Sequence, residues 1–178
     1  MVLTGNKIIL KPITLEDCEE YVEWRNSSFV SKNFIIQKKY TIEQQTNWIN
    51  TIVNSKEVEQ FIIVDKVSGE KIGSVYLINI ELINKKAEFG IFLKSEVFSG
   101  KGFGKEATAL IIKYGFELLK LNKIYLRVFA NNVSAIKLYI KSGFVFEGIA
   151  REDVYVNGSY RDMIFMAILK KNYLNVKW

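Results

Sequence analysis

The loop from Ser99 to Gly104 constrains the fold most, because it places alternating glycines between a strand pattern and a long amphipathic helix pattern. Before it, Ala87 to Leu93 is a short run typical of a β-strand. After it, apolar residues recur at helical intervals: Ala107, Leu110, Ile111, Tyr114, Leu118 and Leu121. A strand, a glycine-rich turn and a helix in succession favour anion binding, because backbone amides converge there and the helix dipole adds partial positive charge.

The spacing of the glycines excludes two common phosphate-binding loops but does not identify a ligand. Gly100, Gly102 and Gly104 alternate. This spacing matches neither the dinucleotide fingerprint, whose last two glycines are three apart, nor the P-loop with its Gly-Lys-Ser/Thr ending. The triplet alone also fits a mobile turn between a strand and a helix.

The N-terminal part predicts one strand and two helices. Residues Lys7 to Lys11 alternate weakly and end at the lone Pro12, which an edge strand tolerates. Each helix begins at a threonine with a polar partner three residues on: Thr14 with Asp17, and Thr41 with Gln44. The inner side of the second helix is predicted to carry Ile42, Gln45, Ile49, Ile52 and Val53.

The rest of the chain predicts a mostly antiparallel sheet. Three strand-like runs form a meander: Phe61–Val64, Ile72–Ile80 and Ala87–Leu93. After the loop and its helix come a strand (Ile124–Phe129), a short helix (Ser134–Lys141) and a hairpin around Asn157-Gly158. The order predicts an α/β (α+β) fold in one domain, residues 1–178, with about seven strands in a mixed sheet and helices on both faces.

Composition excludes several kinds of chemistry. The chain has one cysteine, Cys18, and no histidine, which rules out an internal disulfide and a cysteine-rich metal site and removes the commonest general base. Cys18 falls on the inner side of the first predicted helix and is interpreted as a small core residue. Catalysis must therefore use carboxylates, phenols or backbone groups, and no metal is expected.

Charge and hydropathy limit the classes of binding partner that we expect. The net charge is +6, but the lysines are scattered and no nucleic-acid module is present. We therefore interpret the charge as a solvated basic surface, with attraction of an anionic small molecule as the alternative, and we do not expect nucleic-acid binding. No apolar run approaches the roughly 18 residues that span a bilayer, and no signal peptide pattern is present. We expect a cytoplasmic protein that does not bind membranes.

A second motif lies after the predicted strand Ile124–Phe129. It reads Asn-x-Ser-x-x-x-Leu-Tyr-x-Lys-x-Gly-Phe and comprises Asn132, Ser134, Leu138, Tyr139, Lys141, Gly143 and Phe144. Together with the glycine loop, at this separation, it resembles the GNAT N-acetyltransferase superfamily over residues 87–146. The resemblance extends to a branch that contains ribosomal-protein, spermidine and pseudaminic-acid-pathway amino-sugar N-acetyltransferases.

The resemblance implies acetyl-CoA as acyl donor, bound in a cleft where two strands splay. The backbone of Phe92, Leu93 and Lys94 is expected to contact the pantetheine arm, and Asn132 and Lys141 are expected to complete the cleft. The residues implied around the pyrophosphate are Ser99, Gly100, Lys101, Gly102, Phe103, Gly104 and Lys105. Ser99 stands where the family usually has Gln or Arg, a loss that Lys101 and Lys105 could offset as point charges.

Two proton transfers define the expected catalytic residues. An alkyl amine with a pKa near 10.4 is only about 0.1% neutral at pH 7, so deprotonation accounts for roughly 4 kcal/mol of the barrier. Without histidine the base should be a carboxylate, with Glu88 first and Glu81 second, although Glu88 could instead be a strand-face residue or a substrate anchor. The resemblance implies Tyr139 as the acid for the departing thiolate, and the alternative is a core tyrosine.

The acceptor is the least determined part. The segment Glu23-Trp24-Arg25-Asn26 suggests Trp24 and Arg25 as substrate-binding residues, with Glu81 beside them, although Trp24 could equally lie in the core and Arg25 in a surface ion pair. Lysines follow the first helix, which favours an anionic acceptor: Lys32, Lys38 and Lys39. We expect a nucleotide-linked amino sugar first, a protein N-terminal amine second and a polyamine third.

Two further expectations concern class and assembly. A non-catalytic acyl-CoA-binding regulatory module is the alternative from another functional class. The apolar C-terminal residues Tyr173, Leu174 and Trp178 suggest a contact in a homodimer.

Overall fold

One sheet of eight strands forms the centre of the molecule. The computed structural model describes residues 1–52, 55 and 57–173. The sheet order is β1-β2-β3-β4-β5-β6-β8-β7. The strands are β1 (Leu3–Thr4), β2 (Ile8–Pro12), β3 (Glu59–Asp65), β4 (Lys71–Glu81), β5 (Lys86–Leu93), β6 (Lys123–Phe129), β7 (Val145–Val156) and β8 (Ser159–Leu169). The helices are α1 (Cys18–Asn26), α2 (Ser28–Ser31), α3 (Ile42–Ile52), α4 (Phe103–Glu117), α5 (Val133–Lys141) and α6 (Lys170–Tyr173), with 3₁₀ turns at Leu15–Asp17 and Glu96–Phe98.

The predicted mixed, mostly antiparallel sheet is confirmed. Among the described strands only β5 and β6 pair in parallel. The additional strand is the two-residue β1, and the unpredicted α2 and α6 have four residues each, too few to show a helical period. That residues 1–178 form one domain stays a prediction. None of the described helices has the length and apolar character needed to cross a membrane.

The sheet has a core on each face, because successive strand side chains point to opposite sides. In β3, Phe61 and Ile63 join a core that contains buried residues of α4, while Ile62 and Val64 join a second core with residues of α1 and α3. Burying one such side chain contributes about 1.5–3 kcal/mol. Cys18 is buried in the second core, as predicted.

Both predicted helix starts are confirmed by their hydrogen bonds. The Thr14 N–H donates to Asp17 Oδ2 at 2.8 Å. The Gln44 N–H donates to Thr41 Oγ1 at 3.2 Å, and the Thr41 N–H donates to Gln44 Oε1 at 3.3 Å. Such reciprocal bonds satisfy helix N–H groups that have no intrahelical acceptor. The predicted inward position of Val53 lies outside the described residues.

At the ends of the chain, one expectation is corrected and one stays a prediction. β2 lies between β1 and β3 and is therefore not an edge strand. β1 pairs only with Ile9 and Leu10, so among the described strands Pro12 pairs only with β3. Tyr173 packs against Phe116, with ring centroids 5.1 Å apart, and is half-buried there, so its contact in a homodimer stays a prediction. Leu174 and Trp178 lie outside the described residues.

The sheet opens between β5 and β6. β5 pairs with β4 as far as Leu93, but its described pairing with β6 covers only Lys86 to Glu88. β6 continues to Phe129 as a partner of β8. A gap therefore opens beyond Glu88, with the backbone of residues 89–93 along one side, and this splay positions the cavity described next.

Candidate active site

A cavity of about 1190 Å³ occupies the gap between β5 and β6. The glycine loop and α5 line one end of it, and the segment from α1 to α3 lines the other. We call these the cofactor end (residues 99–105 and α5) and the acceptor end (the lining residues from Tyr21 to Trp48, together with Tyr76 of β4). β5 runs between them and contributes residues 88–93.

The glycine loop has the conformation that an anion cradle requires. Gly100 and Gly102 have φ of +75° and +90°, a left-handed region in which a side chain is strained. The Gly102 carbonyl accepts the Glu106 N–H at 3.0 Å. The N–H groups at residues 103–105 thus precede the first intrahelical bond of α4 and, together with the helix dipole, form an anion site beside the cavity.

The loop side chains divide into those at the cavity and those outside it. Five of the predicted residues line the cavity: Ser99, Gly100, Gly102, Gly104 and Lys105. Their contacts with the cofactor stay a prediction. Two others do not line it, and for them the predicted cofactor contact is limited to the backbone: Lys101 and Phe103.

The reasons lie in their neighbours. The Phe103 ring is buried 6.4 Å from that of Phe98, and the Lys101 ammonium lies 5.9 Å from the same Phe98 ring. Lys7 Nζ donates a hydrogen bond to the Lys101 carbonyl at 3.0 Å and so holds the loop. This role of Lys7 was not predicted from the sequence. Of the two lysines expected to compensate for Ser99, only Lys105 is at the cavity.

The prediction for Lys94 is corrected. Its N–H already donates to the Ile72 carbonyl at 2.9 Å, and its ammonium pairs with Glu70 at 2.7 Å. Its side chain lies outside the cavity, whereas Phe92 and Leu93 line it. The edge available to a cofactor arm therefore ends at Leu93.

Tyr139 lies in the cavity wall on α5. The side chain of Asn132 caps this helix by accepting the Ala135 N–H at 3.2 Å, and Asn132 and Lys141 also line the cavity. The Tyr139 ring is 5.8 Å from those of Phe89 and Phe144, and its hydroxyl forms no hydrogen bond with any described residue. Burial raises the Tyr139 pKa above its ordinary value, so the phenol stays protonated at neutral pH and can act as an acid.

Glu88 is the acidic side chain at the cavity within the described residues. Its side chain is 13% exposed, and its Oε1 accepts Arg127 Nε at 3.0 Å. Asn79, which has φ of +53° beside a bulge in β4, donates Nδ2 to Glu88 Oε2 at 3.2 Å. These contacts fix the carboxylate in the cavity, where it can hold an ammonium or accept a proton.

Two predicted substrate contacts are corrected. Trp24 is buried in the second core, edge-on to Phe92 at 6.4 Å, and does not reach the cavity. Glu81 lies outside the cavity at the end of β4. Asn84 at 2.5 Å and Lys86 at 3.1 Å hydrogen-bond its carboxylate and hold its pKa below the usual range. Neither residue is placed to bind an acceptor.

Arg25 lines the acceptor end and is not in a surface ion pair. It is 8% exposed, and its guanidinium carbon lies 3.4 Å from the Phe34 ring centroid and 4.8 Å from that of Tyr40. Its Nη2 donates to the Tyr40 hydroxyl at 3.1 Å. Further aromatic residues line this end and the adjacent strand: Tyr21, Phe29, Trp48 and Tyr76.

Sequence reasoning missed Tyr76. It pairs with Gly90 across β4 and β5, and a Cβ at Gly90 would lie 2.2 Å from the Tyr76 ring. The absence of a side chain at Gly90 therefore lets this phenol cross β5 at the cavity. A glycine inside a strand is a known signal for such a close approach, and it could have revealed the pair.

Comparisons with known proteins identify the family. The model of an acetyltransferase (GNAT) domain matches residues 7–145. Spermidine N(1)-acetyltransferase of Escherichia coli K12 is 30% identical over 171 residues, which cover 96% of this chain and 90% of that protein. Spermidine N-acetyltransferase of Vibrio cholerae, in complex with CoA and spermine, superimposes with a TM-score of 0.90 at 29% identity over 96% of this chain and 100% of that one. A dodecameric structure of the Vibrio cholerae enzyme gives a TM-score of 0.83 at 29% identity over 96% and 98%.

Proposed function

The chain belongs to the GNAT acetyltransferase family and uses acetyl-CoA as its acyl donor, and on this premise we propose that it acetylates the primary amine of a small molecule by direct attack. The observation that carries the proposal is the single cavity shared by the glycine loop, Tyr139 and Glu88. An amine that enters from the acceptor end would meet both side chains beside the open edge of β5.

The cofactor end supports the donor half of this proposal. The loop amides suit the coenzyme pyrophosphate, and the backbone of residues 89–93, unpaired on its β6 side among the described strands, suits the pantetheine arm. Bound acetyl-CoA supplies the acetyl group as a thioester. Lys105 and Lys141 add positive charge at this end of the cavity.

Tyr139 and Glu88 support the two proton transfers. The amine nitrogen forms a bond to the acetyl carbonyl carbon, the carbon–sulfur bond breaks, and the Tyr139 hydroxyl donates its proton to the departing sulfur. The proton lost by the amine passes to Glu88, whose oxygens can accept hydrogen bonds beyond those from Arg127 and Asn79. The buried Cys18 has no place in this scheme, so no covalent acyl-enzyme forms.

The test is turnover by the purified protein on a panel of amines with acetyl-CoA, measured as free thiol and as acetylated amine. We expect Glu88→Gln to lower kcat about 100-fold or more. The matched control, Glu81→Gln, removes a carboxylate outside the cavity and should leave kcat unchanged. Tight CoA binding without turnover on any amine would instead favour the non-catalytic module.

A polyamine is the second, more specific candidate acceptor. The observation that favours it is the likeness to spermidine acetyltransferases, and it moves a polyamine ahead of the amino sugar that the sequence ranked first. Spermidine therefore belongs in the panel. The charges of the acceptor end, where Arg25 and Lys38 line the cavity, argue the other way.

Self-association is a further proposal. β7 is the outer strand of the sheet and exposes three apolar side chains: Val145, Phe146 and Ile149. Long apolar edge strands are commonly covered by another chain, and one similar enzyme is dodecameric. Light scattering after gel filtration should show an oligomer that Phe146→Glu dissociates. A monomeric wild-type protein would refute the proposal.

A further inference from the structure

Two buried hydrogen-bond donors at the acceptor end have no partner among the described residues. Arg25 Nη1 and Gln45 Nε2 are buried and form no hydrogen bond with any described residue, and both side chains line the cavity. Burying a polar group without a partner costs free energy, and burying an unpaired charge costs more. The Arg25 guanidinium can only donate, so a ligand that satisfies it must offer acceptors.

Arg25 differs from the cations that carry ion pairs. Five described basic residues have carboxylate partners: Lys71, Lys86, Lys94, Lys123 and Arg127. Arg25 has no carboxylate partner within the described residues, although only 8% of its surface is exposed. The Phe34 and Tyr40 rings hold the guanidinium plane, but they do not neutralise it.

The surrounding charges match an anion. Lys38 also lines the acceptor end, and the acidic residue at the cavity within the described chain, Glu88, is already paired with Arg127. A polyamine offers only donors and positive charge here. Two cationic side chains and an unpaired amide donor suit a phosphate, which carries more charge and more acceptor oxygens than a carboxylate.

We propose that Arg25 and Gln45 bind a phosphate group of the acceptor, so that the substrate is a phosphate-bearing primary amine and not a polyamine. The inference rests on the proposed acetylation and names the acceptor class of that same cavity. The phosphate could belong to a phosphomonoester or to a nucleotide diphosphate, which present the same oxygens to Arg25.

The first experiment compares kcat/KM for glucosamine, glucosamine 6-phosphate, a uridine-diphosphate-linked amino sugar and spermidine. We expect at least one phosphate-bearing amine to exceed both glucosamine and spermidine about tenfold or more, because charged hydrogen bonds are lost without the phosphate. The better of the two phosphate-bearing amines identifies the source of the phosphate. A preference for spermidine would overturn the proposal.

Variants assign the effect to the two donors. Arg25→Met should raise KM for the preferred phosphate-bearing amine about tenfold to a hundredfold, well beyond any change on the matching unphosphorylated amine, and Gln45→Leu should raise it less. Arg151→Met removes an exposed arginine outside the cavity and serves as the matched control. An equal loss on every amine would give Arg25 a merely structural role.

A binding measurement separates this proposal from the acetylation on which it rests. With saturating CoA present to fill the glycine loop, inorganic phosphate should raise the Tm of the wild type, relative to chloride at equal ionic strength, and not that of Arg25→Met. A phosphate-dependent shift without turnover on any amine would retain the anion site and refute the acetylation. Equal shifts in wild type and Arg25→Met would refute the anion site, and Arg25→Lys provides a second variant should Arg25→Met fail to fold.

Discussion

The two ends of the cavity offer different kinds of binding group. At the cofactor end, the binding groups are backbone amides within a few consecutive residues, set by the left-handed Gly100 and Gly102 and by the start of α4. At the acceptor end they are side chains from separate elements, including Arg25 on α1 and Tyr76 on β4. A backbone site depends on conformation and changes little with side-chain identity, whereas a side-chain site changes with one substitution.

The largest expected effect is at Tyr139, on α5 at the cofactor end. Tyr139→Phe keeps the ring against Phe89 and Phe144 but removes the acid, so kcat should fall about 100-fold to 10,000-fold while the Kd of acetyl-CoA stays near its wild-type value. Steady-state thiol release and calorimetric CoA binding measure the two quantities. Tyr155→Phe, on an exposed tyrosine outside the cavity, is the control. An unchanged kcat for Tyr139→Phe would show that another group protonates the thiolate.

The cofactor end can be tested through its backbone. Gly102→Val places a β-branched side chain at φ of +90°, which the loop cannot keep without strain, so the Kd of acetyl-CoA should rise about tenfold to a hundredfold. Gly69→Val imposes similar strain at φ of +74° in a remote turn with open space, and it should leave the Kd unchanged. If both variants bound acetyl-CoA normally, the phosphate site would lie elsewhere.

The acceptor end can be tested through its side-chain geometry. Gly90→Ala would place a Cβ 2.2 Å from the Tyr76 ring and should displace that phenol, which lowers kcat/KM for the amine about tenfold without changing CoA affinity. Adding Tyr76→Ala relieves the clash. A double-mutant cycle should therefore show strong coupling between the two positions, and additive losses would contradict the cross-strand placement of Tyr76.

The same difference explains how much could be predicted from the sequence. The glycine loop and the succession of strands and helices follow local patterns, so the element order and the loop were largely predictable. The acceptor end depends on residues far apart in the chain. Sequence reasoning placed Trp24 and Glu81 there, although Trp24 packs in the core and Glu81 is engaged by Asn84 and Lys86.

No local sequence pattern indicates which residues pack together to complete the acceptor end. The stack of Arg25 on Phe34 and the approach of Tyr76 over Gly90 form only when separate elements pack together. Lys94 illustrates the reverse case. It follows the predicted pantetheine strand, but its ladder bond to Ile72 and its ion pair with Glu70 direct it away from the cavity.

The smallest expected effect lies outside both ends. Lys71 pairs with Asp17 at 2.7 Å and with Glu20 at 3.2 Å, and its hydrogen bond to Asp17 is the main cause that raises its pKa above 10.5. Because the pKa of Lys71 is higher in the folded state than in the unfolded state, these ion pairs stabilise the fold fully at pH values below the unfolded-state pKa. Their contribution is lost as the pH rises through the folded-state pKa, above about pH 10.5. Lys71→Met should lower the free energy of unfolding by about 1 kcal/mol or less at pH 7, with kcat and CoA affinity unchanged. Urea titrations of both proteins at pH 7 and pH 11 measure this, and an equal difference at the two pH values would contradict it.

The most direct test of direct transfer within one cavity is to measure thiol and acetylated amine in the same reaction, with and without acceptor. The account predicts one thiol for each acetylated amine, with neither a thiol burst nor an acetylated protein by intact mass when the amine is omitted. A burst of thiol equal to the enzyme concentration, with one acetyl group on the protein, would contradict it.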